Sequence, residues 1–135
     1  MTDIAYRRED ALPLSDFQLV LQASGLAERR PEDAARLQAM LTNADLIVTA
    51  RTTDGAIVGV ARSITDWSYC LYCSDLAVDR AFQGRGIGKA LLAETARLAP
   101  AVTGFYLLSA PKAVSFYEHA GYERLPDAFR FAVKQ

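Results

Sequence analysis

The stretch from Asp75 to Leu98 constrains the fold more than any other part of the chain: DLAV, which reads as a strand, leads through DR into AFQGRGIG and then into KALLAETARL. A helix that begins on a glycine loop leaves its first N–H groups without intrahelical partners, gathered at the positive end of the helix dipole. Glycines at 84, 86 and 88 remove the Cβ atoms that would hold a phosphate away from the main chain, and they allow positive φ where the chain wraps. The unit is an anion cradle.

The remaining patterns arrange themselves around it. IAYRRE reads as a first strand. In PLSDFQLVLQASG, Ser15 is placed to cap a helix carrying Phe17, Val20, Leu21 and Ser24 at helical spacing, and Gly25 to end it. PEDAARLQAML reads as a second helix, with Pro31 in its first turn and Glu32 and Asp33 toward the positive end of the dipole. DLIVTARTTDGAIVGVARSIT is two β-rich runs joined at Asp54–Gly55, the dipeptide tight hairpins prefer. YCLYCSDLAV is a fourth strand, and in the helix after the glycine loop Ile87, Leu91, Leu92, Leu98 and Ala99 form one stripe, stopped by Pro100. GFYLLSA is expected as a fifth strand buried on both faces, PKAVSFYEHAGY as a helix between Pro111 and Gly121, and FRFAVK as the strand that closes the sheet. The class is mixed α/β (α+β), a single domain over residues 1–135 with a largely antiparallel first half.

Which phosphate the cradle would take is narrowed by what the loop lacks. The P-loop pattern needs Gly at 83 and a hydroxyl at 90, where the chain has Gln83 and Ala90; the dinucleotide pattern fails on Lys89 or Leu91 in its last slot. With 15 basic and 16 acidic residues the net charge is -1, so no global field draws the chain to nucleic acid or anionic lipid. Without an apolar run of about 18 residues, no membrane partner is expected, and the cytoplasm is the default location. Cys70 and Cys73 in CLYC are three apart on a strand and so point to opposite faces; with the lone His119 they make too few ligands for a metal, and they read as two reduced thiols.

The pattern that does match is Q-x-x-G-x-G, Gln83 to Gly88, after DLAV and before KALL. It resembles the acetyl-coenzyme A loop of the GNAT acyltransferase superfamily, and AVSFYEHAGY resembles that family's second signature, A-x-x-F-Y-x-x-x-G-[FY]. The resemblance implies the GNAT fold over nearly the whole chain: a mixed, mostly antiparallel sheet with helices on both faces, whose parallel strands four and five splay apart. It also implies acetyl-CoA as cosubstrate, no metal, and direct transfer of acetyl to a primary amine. Main-chain amides of Gln83, Gly84, Arg85, Gly86, Ile87, Gly88 and Lys89 would hold the pyrophosphate, with charge from Arg85 and Lys89. Leu76, Ala77 and Val78 would meet the pantetheine as though it were an added strand, and a backbone N–H near Val78 would stabilise the oxyanion. Tyr117, also at the cofactor, occupies the position of the family's tyrosine acid, with a core tyrosine as the plain alternative. Asp75 is the candidate to relay the acceptor's proton or attract its ammonium group; a hydrogen-bonded strand aspartate is the alternative.

Ala110 stands where many members have Asn, removing one coenzyme contact. The first two helices, their loop GLAERR and the late strands are the implied acceptor region, with Trp67, Tyr69 and Tyr72 as lining candidates, packing being the plain alternative, and Asp66 or Asp75 as a partner for an ammonium group. The resemblance allows a homodimer through the last strand. A binding module that keeps the cradle without acceptor chemistry, and a nucleotide-binding protein, are the competing readings.

Overall fold

The computed structural model describes residues 3–134. Its elements are β1 (Ile4–Arg8), α1 (Leu14–Ser24), α2 (Ala34–Thr42), β2 (Leu46–Thr52), β3 (Ile57–Thr65), β4 (Cys70–Val78), α3 (Ile87–Leu98), β5 (Gly104–Leu107) and α4 (Val114–His119). The five strands lie in chain order across one sheet, antiparallel except for the parallel pair β4–β5. α3 covers one face, where Ile87 and Leu91 pack with Leu46, Val48, Ala61 and Leu71. α1 and α2 cover the other, where Phe17, Val20, Leu37 and Leu41 meet Ile47, Val60 and Ala77. With both faces covered, β2 and β3 are buried almost along their length, which is why they read as near-continuous apolar runs. Among the described residues no helix is long and apolar enough to cross a membrane.

Local chemistry sets the element boundaries. α1 begins two residues earlier than its serine suggests: Pro13 holds the N-cap position, its carbonyl accepting from Asp16 and Phe17, so Ser15 falls inside the first turn. At α2 it is Asp33 that caps, its carboxylate accepting the Ala35 N–H at 3.0 Å, and Pro31 stays outside the helix. Gly25, at φ 87°, ends α1 and turns the chain into a short 3₁₀ segment, Leu26–Arg29. Asp66 accepts from the N–H groups of Tyr69, Ser68 and Cys70, which organise the turn into β4 and hold its carboxyl below the ordinary range.

Two irregularities in β4 matter for function. Arg62 pairs with Asp75 but Ser63 pairs with Cys73, so Ser74 is an extra residue, a bulge. It reverses the alternation: Cys73 faces the α3 side, whereas Ala77 beyond the bulge joins the α1–α2 core. Second, β4 pairs with β5 only from Cys70 to Cys73, while its pairing with β3 runs on to Val78. Among the described residues, none offers β4 a strand neighbour on the β5 side from Ser74 onward.

Two expectations are corrected. β5 is not buried on both faces: Phe105 is 40% and Tyr106 50% exposed, because β5 is the sheet edge. FRFAVK forms no strand; Phe129 and Phe131 are 90% and 101% exposed. Alternation of apolar and polar residues reports a pleat that could form, not a ladder that has a partner.

Candidate active site

The splay opens a cleft of about 1190 Å³. Its walls are the turn from Gly25 to Arg30, the β4 segment from Tyr72 to Val78, the glycine loop, the end of β5, and the start of α4. Of the residues singled out from sequence, Leu76, Ala77, Val78, Gln83, Gly84, Gly86, Ile87, Gly88 and Tyr117 line it together. Arg85, Lys89 and Asp75 do not. Lys89 is on the exposed side of the first turn of α3, and the Arg85 guanidinium lies over the Phe82 ring, 4.9 Å from its centroid.

Peptide planarity fixes the direction of the β4 main chain. The Asp79 N–H donates to the Val58 carbonyl at 2.8 Å, toward β3, so the Val78 carbonyl on the same peptide points the other way, into the splay. Gln83 Nε2 donates to that carbonyl at 3.0 Å and ties the loop to the strand. In an extended strand the N–H and carbonyl of one residue share a side and alternate with period two, which turns the N–H of Val78 and the main-chain groups of Leu76 toward the gap.

The three loop glycines do different work. Gly84 and Gly86 are both at φ 80°, and a Cβ on either would meet no protein atom within 4 Å, so the space beside them is open. Gly86 is the N-cap of α3, with the helix's first N–H groups beyond it. Gly88 is buried, and a Cβ there would lie 3.1 Å from Phe116 Cζ; its smallness lets α4 close on α3.

Tyr117 is brought to the cleft by α4, edge-on to Phe116 at 5.0 Å and beside Tyr122. Burial, with smaller contributions from Cys73 and Tyr122, pushes its hydroxyl up to about 12. Cys73, 4% exposed, is pushed by burial up to about 11, whereas Cys70 is exposed; both are free thiols. A thiol reagent at pH 8 is therefore expected to modify Cys70 at least about 100-fold faster than Cys73, because burial both raises the Cys73 thiol and shuts the reagent out. Peptide mass mapping over time checks this, and equal rates would contradict the burial described.

Asp75 is fully buried, and each of its oxygens is held by a guanidinium: Oδ1 by Arg30 Nε and Oδ2 by Arg62 Nε. Arg30 also donates to the Ser74 carbonyl at 2.8 Å, and Arg62 to Ser74 Oγ at 2.9 Å and the Met40 carbonyl at 3.2 Å. This arginine–aspartate–arginine cluster was not foreseen. Its sequence signal is Arg62 inside the apolar run GVARSIT, a charge where a strand buried on both faces should have none. The GLAERR loop does reach the cleft, and so does Tyr72, but Trp67, Tyr69 and Asp66 do not. Arg8 lies over the Trp67 ring, and His119 is exposed, with Nδ1 2.8 Å from the Ser115 carbonyl oxygen.

A family model described as an acetyltransferase (GNAT) domain matches residues 43–124. A histone acetyltransferase of Glycine max is 28% identical over 114 residues, covering 76% of this chain and 48% of that protein. The chain thus spans about half the length of these curated relatives it matches. Among solved structures, a GNAT-family acetyltransferase from Streptococcus pneumoniae superposes with TM-score 0.75 at 25% identity over 98% of both chains. An aminoglycoside acetyltransferase from an uncultured soil metagenomic sample, solved with sisomicin, superposes with TM-score 0.71 at 21% identity over 97% of each.

Proposed function

Because this chain belongs to the GNAT acetyltransferase family, we propose that it moves the acetyl group of acetyl-CoA directly onto a primary amine. One observation carries this reading: beyond Cys73 the strands β4 and β5 part, and the gap opens toward Gly84, Gly86 and the first N–H groups of α3. The open space beside both glycines fits a diphosphate approaching bare main chain, and the Leu76 and Val78 edge fits an extended amide chain laid along it. When bound, acetyl-CoA supplies an acyl thioester already activated toward an amine.

The chain's own groups then have distinct tasks. Amides from Gln83 to Lys89 hold the diphosphate, with Arg85 and Lys89 adding charge from the loop's outer side. The Val78 N–H is the donor for negative charge developing on the carbonyl oxygen. Tyr117 holds a proton at Oη for the departing thiol. At about 12 the hydroxyl stays protonated through the neutral range and is available to donate.

Asp75 is assigned a positioning role. Both of its oxygens are taken up by arginines and the residue does not line the cleft, so its effect is to fix Arg30 and Arg62 in the cleft wall.

Thiol release from acetyl-CoA across a panel of amines tests the reading; a module that only binds would take up the coenzyme and release none. Tyr117→Phe should lower turnover about 10- to 100-fold with the unfolding midpoint unchanged. The raised hydroxyl also sets a sign with pH. Tyr117 can donate only while protonated, so its ionisation removes activity near pH 12 rather than near 10, and no loss attributable to it should occur below about pH 10. A rate that falls near pH 9 in the native protein but not in Tyr117→Phe would overturn the assignment.

A further inference from the structure

The charge lining the cleft is lopsided in a chain whose net charge is -1. Among the described residues six cationic ones line it, Arg29, Arg30, Arg62, Arg80, Lys112 and Arg130, against one carboxylate, Glu28. Behind that wall, Asp75 compensates only one of the two guanidiniums it binds. Arg62 is 7% exposed and Arg30 21%, so the excess positive charge is poorly screened by water. Each guanidinium has five N–H donors, and the partners described engage three on each, leaving donors on Arg30 at the cleft surface.

We propose that the acceptor is an amine that also carries an oxyanion, a carboxylate or a phosphate, held by Arg29, Arg30 and Arg130 of the cleft lining. The inference rests on the acetyl-transfer reading above and adds the substrate class. Guanidinium forks match both oxyanions in charge and geometry. A polycation would bring like charge against this wall, so the acceptors named by the Glycine max and metagenomic relatives, histones and aminoglycosides, are poor guides to this chain. The same field helps the chemistry: neighbouring positive charge disfavours the ammonium form and favours the neutral amine that attacks, in a site whose buried carboxylate is already committed to arginines.

The test compares L-glutamate, phosphoethanolamine, glucosamine and spermidine, in turnover with acetyl-CoA and, separately, in calorimetric binding to the protein saturated with coenzyme A. Carboxylate and phosphate amines should exceed spermidine at least about 100-fold in kcat/KM at low salt, the gap narrowing as salt rises; whichever of the two leads identifies the oxyanion. Arg29→Gln and Arg130→Gln, both on exposed residues, should each lower that preference about 10-fold while the dissociation constant of coenzyme A stays unchanged. Spermidine equal to or better than the anionic amines, or no anionic amine bound at millimolar concentration, overturns the proposal. Anionic amines that bind in an arginine-dependent way without thiol release from any acceptor would instead overturn the transfer reading and leave the charge preference standing.

Discussion

Replacing Asp75 with Asn should destabilise the protein by about 3 kcal/mol, within the range for removing one partner of a buried ion pair. The substitution keeps the side chain's shape and deletes the negative charge set between Arg30 and Arg62. Arg62 has nowhere to go: at 7% exposure it cannot reach water, and its remaining bonds to Ser74 and Met40 satisfy donors without cancelling charge. Arg30, at 21%, will recover part of its hydration, which is why the expected loss lies at the lower end. With a urea slope of about 1–3 kcal/mol per molar for a chain this size, the midpoint should fall by about 1–3 M with the slope preserved. A catalytic base would behave in the opposite way, losing turnover and keeping its midpoint. An Asp75→Asn protein with native unfolding and strongly reduced kcat would return Asp75 to the chemistry.

The second large effect is expected at Gly86, where valine should reduce coenzyme A affinity by more than about 100-fold. Two costs combine. A β-branched residue at φ 80° is strained, by about 1–2 kcal/mol, in the empty protein and the complex alike. That part appears in the unfolding curve. The other part appears only on binding: the Cβ at 86 projects into space that no protein atom occupies, so nothing clashes until a phosphate tries to approach the α3 N–H groups. Calorimetry with coenzyme A, read beside urea unfolding, separates the two. Binding within threefold of the native protein would place the diphosphate elsewhere.

The glycine loop and its flanking elements were legible because their signals are local. A strand, a loop that needs positive φ and an amphipathic helix each announce themselves within a few residues, and the structure places Gly84 and Gly86 at φ 80°. The splay was available only through family resemblance, since nothing in DLAV or GFYLLSA says that two strands pair for four residues and then part. Ser15 misled because a capping side chain two positions past the boundary looks the same in sequence as one at it, and Pro13 had already fixed the entry. FRFAVK misled because its alternation is intrinsic while its pairing would depend on distant residues. The arginine cluster stayed hidden for a related reason: Arg30, Arg62 and Asp75 come from three separate segments, and only the paired geometry of β3 and β4 with the turn after α1 brings them together.

The extra residue in β4 also decides how this strand can change in length. Ser74 shifts the phase of everything after it by half a period, so that Ala77 meets one helical layer while Cys73, four positions earlier, meets the other. Excising it would join the Cys73–Ser63 pair directly to the Asp75–Arg62 pair, an unbroken ladder in which Leu76 keeps the α3 side and Ala77 the α1–α2 side. Related chains can therefore lack this one residue without exchanging the layers, and an alignment to such a chain that opens no gap at Ser74 equates side chains that belong to opposite sides of the sheet.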